Sequence, residues 1–210
     1  MRPTLIVFVK EPRPGRVKTR LARDVGAVAA AHWYRRQCAA LLRQVAGDPR
    51  WRTVLAVSPD AAGLASRAWP PDLPRWPQGQ GSLGARMAAA LARAAPGPAL
   101  LIGSDVPGIG PREVAAALDA LRGADAVLGP APDGGFWLIG LAAGRRLPGA
   151  RRAGRSTAAG PGRLEPVRWS TTAALADTVA TLAPLRVATA PTLMDVDSLA
   201  DLTALGLPRP

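Results

Sequence analysis

The chain is poor in several residue types on which whole functional classes depend. It has one cysteine, Cys38, and one histidine, His32. A disulfide scaffold is therefore excluded, and a Cys/His zinc site has no ligand set. Any metal would have to be held mostly by oxygen. One Tyr and two Phe are little material for stacking nucleic-acid bases, and no helix-turn-helix or zinc-finger pattern is present. Both observations argue against a nucleic-acid partner. No apolar run approaches the roughly 20 residues of a membrane span. The opening MRPTLIVFVK regains charge before an apolar segment of signal length develops. The expectation is a soluble cytoplasmic protein with no membrane insertion.

Acidic residues are also scarce, 15 against 27 Lys and Arg, which gives a formal net charge of +12. All but two of the basic residues are arginine. They concentrate in residues 1–50 and 142–170, on either side of a neutral middle. Such blocks suit phosphate-rich ligands, although an Ala/Arg/Pro/Gly-heavy composition also yields arginine as plain surface charge. With 210 residues, 48% of them hydrophobic, the chain has material for one core, and residues 1–210 are read as a single domain.

Thr4–Val9 (TLIVFV) is a short apolar run rich in β-branched residues, as expected of a strand covered on both faces. Pro12, Pro14 and Gly15 end it. Helical spacing follows in two pieces, with Gly26 against one unbroken helix. Arg52–Val57 reads as a second strand, with Ser58 or Asp60 able to cap a short helix. Residues 69–84 read as loop, and a helix runs from Leu83 to Ala95. Ala99–Gly103, Ala124–Gly129 and Phe136–Leu141 read as further strands, with a helix over Pro111–Leu121. Residues 142–168 have little periodicity and read as a surface loop or mobile arm. Thr171 or Thr172 opens a helix to Leu182, Leu185–Ala188 offers a strand, and Ser198 starts a last helix. Alternating strands and helices imply βαβ units and a mainly parallel sheet. Trp33 and Trp137 read as core groups rather than stacking platforms.

Open α/β sheets place ligands outside the carboxyl ends of their strands, which directs attention to four loops. Lys10–Arg20 (KEPRPGRVKTR) follows the first strand and is dense in cations. A glycine-containing turn entering a helix can aim N–H groups at phosphate, with Lys and Arg adding charge. It matches neither a Walker A loop nor a GxGxxG fingerprint. GSDVP carries Asp105 and PAPDGGFW carries Asp133. MDVDS carries Asp195 and Asp197, which would point oppositely on an extended chain, leaving one of them to reach a site. Each lone Asp serves as readily as a helix cap. Convergence of Asp105 with Asp133 or Asp197 would instead suit Mg²⁺ or Mn²⁺ and a diphosphate. Asp133 is the candidate for activating an acceptor hydroxyl, provided its surroundings make it a stronger base than an ordinary carboxylate.

Six stretches together carry a resemblance. They are FVKEPRPGRVKTRLA (Phe8–Ala22), QGQGSLGARM (Gln78–Met87), GSDVPGI (Gly103–Ile109), LGPAPDGGFWLIGL (Leu128–Leu141), WST (Trp169–Thr171) and LMDVDSLADL (Leu193–Leu202). In this order the chain resembles the DUF2064 family, glycosyltransferase-like proteins of the GT-A or nucleotide-diphospho-sugar transferase fold, also described as radical-SAM/selenodomain-associated transferase 1. The resemblance implies an α/β, Rossmann-type three-layer domain that binds a nucleotide sugar or NTP with Mg²⁺ or Mn²⁺. Lys10, Gly15, Arg16, Lys18, Arg20 and Arg86 would then form the nucleotide and phosphate side. Asp105 would act with Asp133 in catalysis and bind metal with Asp197, while Gly134, Gly135, Trp169, Ser170 and Thr171 would face the acceptor. The implied activity is glycosyl transfer from a nucleotide sugar. Nucleotidyl transfer from an NTP to a phosphorylated acceptor and non-catalytic nucleotide binding are the alternatives, and self-association stays open. The chain departs from the family pattern in having Ser82 for an acidic residue, Val106 for a cysteine and a longer join before WST.

Overall fold

The computed structural model describes residues 1–94, 96–150 and 162–210. Its first strand, β1 (Thr4–Lys10), shows why the sheet has two covered faces. Leu5, Val7 and Val9 enter one apolar cluster, and Ile6 enters another with Phe8 packed at its edge. This is the period-two alternation of a strand with helices on both sides.

The chain continues through α1 (Leu21–Val25), α2 (Ala27–Val45), β2 (Arg52–Ser58), α3 (Asp60–Ala65), β3 (Arg75–Pro77), α4 (Leu83–Ala94) and β4 (Ala99–Ile102). It ends with α5 (Pro111–Ala120), β5 (Ala126–Pro130), β6 (Phe136–Leu141), α6 (Ala174–Leu182), β7 (Val187–Thr189) and α7 (Leu199–Ala204). One seven-stranded sheet has the order β3-β2-β1-β4-β6-β5-β7. Only β6 runs against its neighbours, pairing antiparallel with β4 and β5. Tyr34, Cys38, Leu41, Leu42 and Val45 of α2 join Val114 and Ala117 of α5 over one face. Met87, Ala88 and Leu91 of α4 join Leu182 of α6 over the other. The expected three-layer α/β domain with a mostly parallel sheet is therefore what the chain forms.

Several expectations need correction. The stretch read as loop over residues 69–84 contains β3, a three-residue edge strand on β2. Neither Ser58 nor Asp60 caps α3, because Pro59 holds the cap position and Asp60 is already helical. Ala173, not Thr171 or Thr172, is the cap residue of α6, although the Thr171 hydroxyl accepts the Ala173 N–H at 3.3 Å. Gly26, at φ +84°, does separate α1 from α2. Of the expected arm, residues 151–161 lie outside the described residues, while its flanks are anchored by Leu147 and Leu164, both buried against α4. Trp137 is buried and donates its Nε1–H to the Pro191 carbonyl at 2.9 Å. Its core reading holds.

Among the described residues, no helix is long and apolar enough to cross a membrane.

The topology decides where a site can form. After β1 the chain moves one way to β2 and β3, then returns to place β4 on the other side of β1. Loops leaving β1 and β4 consequently diverge and open a crevice at the carboxyl edge, the usual ligand position in such sheets.

Candidate active site

A cleft of about 590 Å³ occupies that crevice. The loop after β1 forms one wall with Lys10, Arg16, Lys18, Thr19 and Arg20. Val17, 4% exposed, anchors this loop in the core, and the Lys18 carbonyl accepts the first helical N–H bond, from Ala22, at 2.9 Å. Gly15 does not line the cleft; at φ +74° it makes the turn that brings Arg16 to Arg20 inward.

The floor comes from the loop after β4. Tyr34 on α2 holds the two loops together, since its hydroxyl accepts the Lys10 backbone N–H at 2.9 Å and shares a hydrogen bond with Ser104 Oγ at 2.9 Å. One helical turn along, Cys38 Sγ lies 3.8 Å from the Ser104 carbonyl. Burial pushes the Cys38 thiol up to about 12, so it stays a neutral packing group. Asp105 follows immediately.

Lys18 Nζ lies 2.5 Å from Asp105 Oδ2 and 2.9 Å from Asp197 Oδ1, with its side chain 5% exposed. Arg20 Nη1 reaches the other Asp197 oxygen at 2.8 Å. Burial works against the ammonium, but the two carboxylates outweigh it and raise the Lys18 pKa above the ordinary lysine value. Burial likewise opposes the Asp197 charge, yet Lys18 and Arg20 hold its carboxyl below the usual range. Lys18 is also one of two non-glycine residues with positive φ among the described residues, at +45°; the other, Ser170 at +61°, lines the opposite side of the same cleft. Such backbone costs on the order of 1 kcal/mol or more and persists where surrounding contacts fix it.

Asp195 and Asp197 both line the cleft, which corrects the expectation that only one would reach it. Residues 190–197 are not a strand, so alternation does not apply. Val196 between them is fully buried against Leu21 and Leu202, and its N–H bonds to the Asp105 carbonyl at 3.3 Å. The Ser198–Asp201 capping box of α7 then bends the chain, with Asp201 Oδ2 accepting the Asp197 N–H at 2.9 Å. Burial foremost, and then the neighbouring carboxylates Asp197, Asp105 and Asp133, push Asp195 up to about 6 against the pull of Lys18. The sequence presented Asp195, but no local signal said that its chain would bend.

The far wall contains Asp133, Gly135, Trp169, Ser170 and Thr171. Asp133 Oδ1 accepts the Gly135 N–H at 2.8 Å inside the β5–β6 turn. Gly134 shapes that turn without lining the cleft, having φ +83° and no space for a side chain beside the Thr172 backbone. Phe136 and Trp169 meet edge to face at 6.1 Å, and with Phe8, Leu83 and Met87 they make an apolar side that sequence reasoning did not foresee. Arg86 also reaches the cleft, held by Gln78 Oε1 at 2.8 Å. Gln78 in turn donates to the Val9 and Ala56 carbonyls. The buried Arg86 Nε has no partner among the described residues.

For a hard divalent cation the donor chemistry fits, because two carboxylates already converge on one cation, here the Lys18 ammonium, with Asp195 close by. Among the described residues, no three His, Cys, Asp or Glu side chains stand grouped to hold a metal ion.

Residues 41–171 match the model of DUF2064, described as an uncharacterised protein conserved in bacteria. The chain belongs to the DUF2064 family. A crystal structure of a candidate nucleotide-diphospho-sugar transferase from Desulfovibrio desulfuricans G20 is 32% identical, with TM-score 0.82, over 98% of this chain and 87% of that one. DUF2064 thus has, in this chain, a nucleotide-diphospho-sugar transferase-like fold. More distantly, the Rv0371c homologue from Mycobacterium sp. strain JC1 (16% identity, TM-score 0.56, covering 98% and 96%) shares the fold. So does Rv0371c from Mycobacterium tuberculosis H37Rv in complex with manganese (16%, 0.51, 98% of both chains). No curated protein matches.

Proposed function

We propose that this DUF2064 protein transfers a glycosyl group from a nucleotide-sugar donor to an acceptor hydroxyl. One observation carries the reading: the cationic loop after β1 and the carboxylate loops after β4 and before α7 converge in one cleft at the switch point of the sheet. The name of the Desulfovibrio desulfuricans relative supports the donor class. The association with radical-SAM or selenodomain proteins rests on the motif resemblance alone and plays no part.

In this reading Arg16 and Arg20 receive the donor diphosphate, and Arg86, held by Gln78, adds its charge to the same cleft. As the glycosidic bond to the diphosphate breaks, negative charge grows on the leaving phosphate. Cations fixed in a partly enclosed cleft stabilise that charge without reorganising. Asp105 and Asp197 would hold Mg²⁺ or Mn²⁺, which supplies further neutralisation of the diphosphate when bound. Asp195 and Asp133 both line the cleft and are the candidates to take the acceptor proton. Asp195 is the better base: its carboxylate is half-buried, whereas Asp133 already accepts a backbone N–H in its own turn. Trp169, Ser170 and Thr171, on the aromatic side, receive the acceptor.

The test is a panel of nucleoside diphosphates, nucleotide sugars and NTPs with Mg²⁺ or Mn²⁺. Release of a nucleoside diphosphate from a nucleotide sugar, dependent on Asp195, is the expected result. Pyrophosphate release from an NTP with a phosphorylated acceptor would replace this reading with nucleotidyl transfer, and tight binding without turnover of any donor would reduce it to nucleotide binding.

A further inference from the structure

The Lys18 ammonium stands where the carboxylate pair presents its converging oxygens. It touches both Asp105 and Asp197 from a left-handed backbone and is almost completely enclosed. A flexible surface lysine does not need that backbone; here the loop is bent so that the ammonium reaches both acids. A lysine carries one charge and three donors on a flexible stem, and can turn to another anion without moving the main chain. We infer that Lys18 is a resident counter-ion that competes with divalent metal for Asp105 and Asp197, so that metal enters only when an arriving diphosphate takes over the ammonium.

The electrostatics give the sequence of events. Lys18 and Arg20 together pair with two carboxylates, Asp105 and Asp197. A divalent ion entering alone would have to displace a buried ammonium and leave it facing a second cation at close range, a repulsion that strengthens as water is excluded. A diphosphate reverses the balance. It adds negative charge beside Lys18, draws the ammonium toward its oxygens and leaves Asp105 without its cation and Asp197 with Arg20 alone. The divalent cation then fills that place. Linkage requires the effect to be reciprocal, so metal and diphosphate raise each other's affinity by the same factor.

This inference rests on the proposed diphosphate cleft, but its first test does not use a nucleotide. Mn²⁺ alone is titrated into the wild-type chain and into Lys18→Met, which keeps the length of the stem and removes the charge, with thermal unfolding as the check on folding. Lys18→Met should bind Mn²⁺ at least tenfold more tightly than wild type, and the gain should vanish in Lys18→Met/Asp105→Asn. Equal affinities in wild type and Lys18→Met, or a gain that survives Asp105→Asn, would overturn the competition. A second measurement needs no variant. The chain has only two lysines, Lys10 and Lys18, so ¹⁵N-lysine labelling reports the Lys18 ammonium almost alone. Mg²⁺ with pyrophosphate should move the Lys18 Nζ signal, and the same Mg²⁺ concentration without pyrophosphate should not. Displacement by Mg²⁺ alone refutes the inference even if the cleft binds diphosphates, whereas a tenfold gain in Lys18→Met upholds it even if no nucleotide sugar is turned over.

Discussion

The two basic stretches of this chain are alike in composition and opposite in use. In residues 1–50, Lys18 and Arg20 turn inward onto Asp105 and Asp197. In residues 142–170, Arg145 turns to Asp125 at 2.8 Å and Arg168 to Asp177 at 2.9 Å. Neither of these later arginines lines the cleft. The difference lies in the backbone beneath them. Val17 and Gly15 fix the first loop across the carboxyl end of β1, so Lys18 meets carboxylates brought from 87 and 179 residues away in sequence. Arg168 instead pairs with a residue nine positions later on its own surface. Cation density alone therefore does not mark the cleft; what distinguishes the first block is a bent loop, anchored by buried Val17, at the switch point of the sheet.

The sharpest way to break the comparison is Lys18→Met. It leaves Asp105 and Asp197, each about one-third exposed, without their shared cation. Full burial would make this loss worth about 3–5 kcal/mol, and the partial exposure of the acids reduces it to about 2 kcal/mol. Chemical unfolding should show that loss, with Mn²⁺ restoring part of it. A variant as stable as wild type would place Lys18 among ordinary surface cations.

Tyr34→Phe tests the support of the inward block. The hydroxyl holds the Lys10 N–H and Ser104 together, and leaving a part-buried N–H unpaired costs about 1–2 kcal/mol. Unfolding should occur at lower denaturant, and hydrogen exchange should accelerate in residues 10–20 before it does elsewhere. Uniform acceleration would deny Tyr34 a role in holding that loop.

Much of this architecture could be read from the residues. TLIVFV, the Gly26 break and the carboxyl-end loops were legible because local rules govern them: β-branched burial, glycine freedom and the geometry of open sheets. Asp195 was misplaced because its orientation depends on Val196 docking against α1 and α7, a contact with no local signature. The antiparallel setting of β6 was hidden for the same reason, since FWLIGL is equally apolar in either direction. The β3 strand was hidden inside proline-rich sequence, where an edge position tolerates what a central strand would not. The aromatic side of the cleft joins Phe8, Phe136 and Trp169 from three distant segments, and no spacing could have announced it.

Arg20→Ala sharpens the comparison within the inward block. Arg20 is 57% exposed and Lys18 5%, so the arginine is the contact that salt can screen. Binding of a nucleoside diphosphate should weaken about tenfold at low ionic strength, and the deficit should shrink in 0.5 M salt, where a Debye length of about 4 Å weakens solvent-exposed charge pairs. A deficit independent of salt would show that Arg20 acts by shaping the loop rather than by charge.

The smallest effect belongs to the outward block. The Arg168 hydrogen bonds, first through its side chain and then through its backbone N–H, lower Asp177 to about 2. A carboxyl whose folded pKa lies below its unfolded value of about 3.9 contributes stability above that value and loses it as pH falls through the folded pKa. The contribution from Asp177 should therefore be intact at pH 5, decline below about pH 4 and be gone below about pH 2. Arg168→Ala removes the side-chain partner, so its urea midpoint should fall slightly short of wild type at pH 5, by less than in Tyr34→Phe, and the two curves should draw together toward pH 2. Because Arg168 is 72% exposed, salt should narrow the gap at pH 5 as well. A gap that neither acid nor salt changes would mean that Arg168 stabilises this surface by packing its stem rather than by its charge, and nucleotide affinity, unchanged in either case, separates this arginine from those in the cleft.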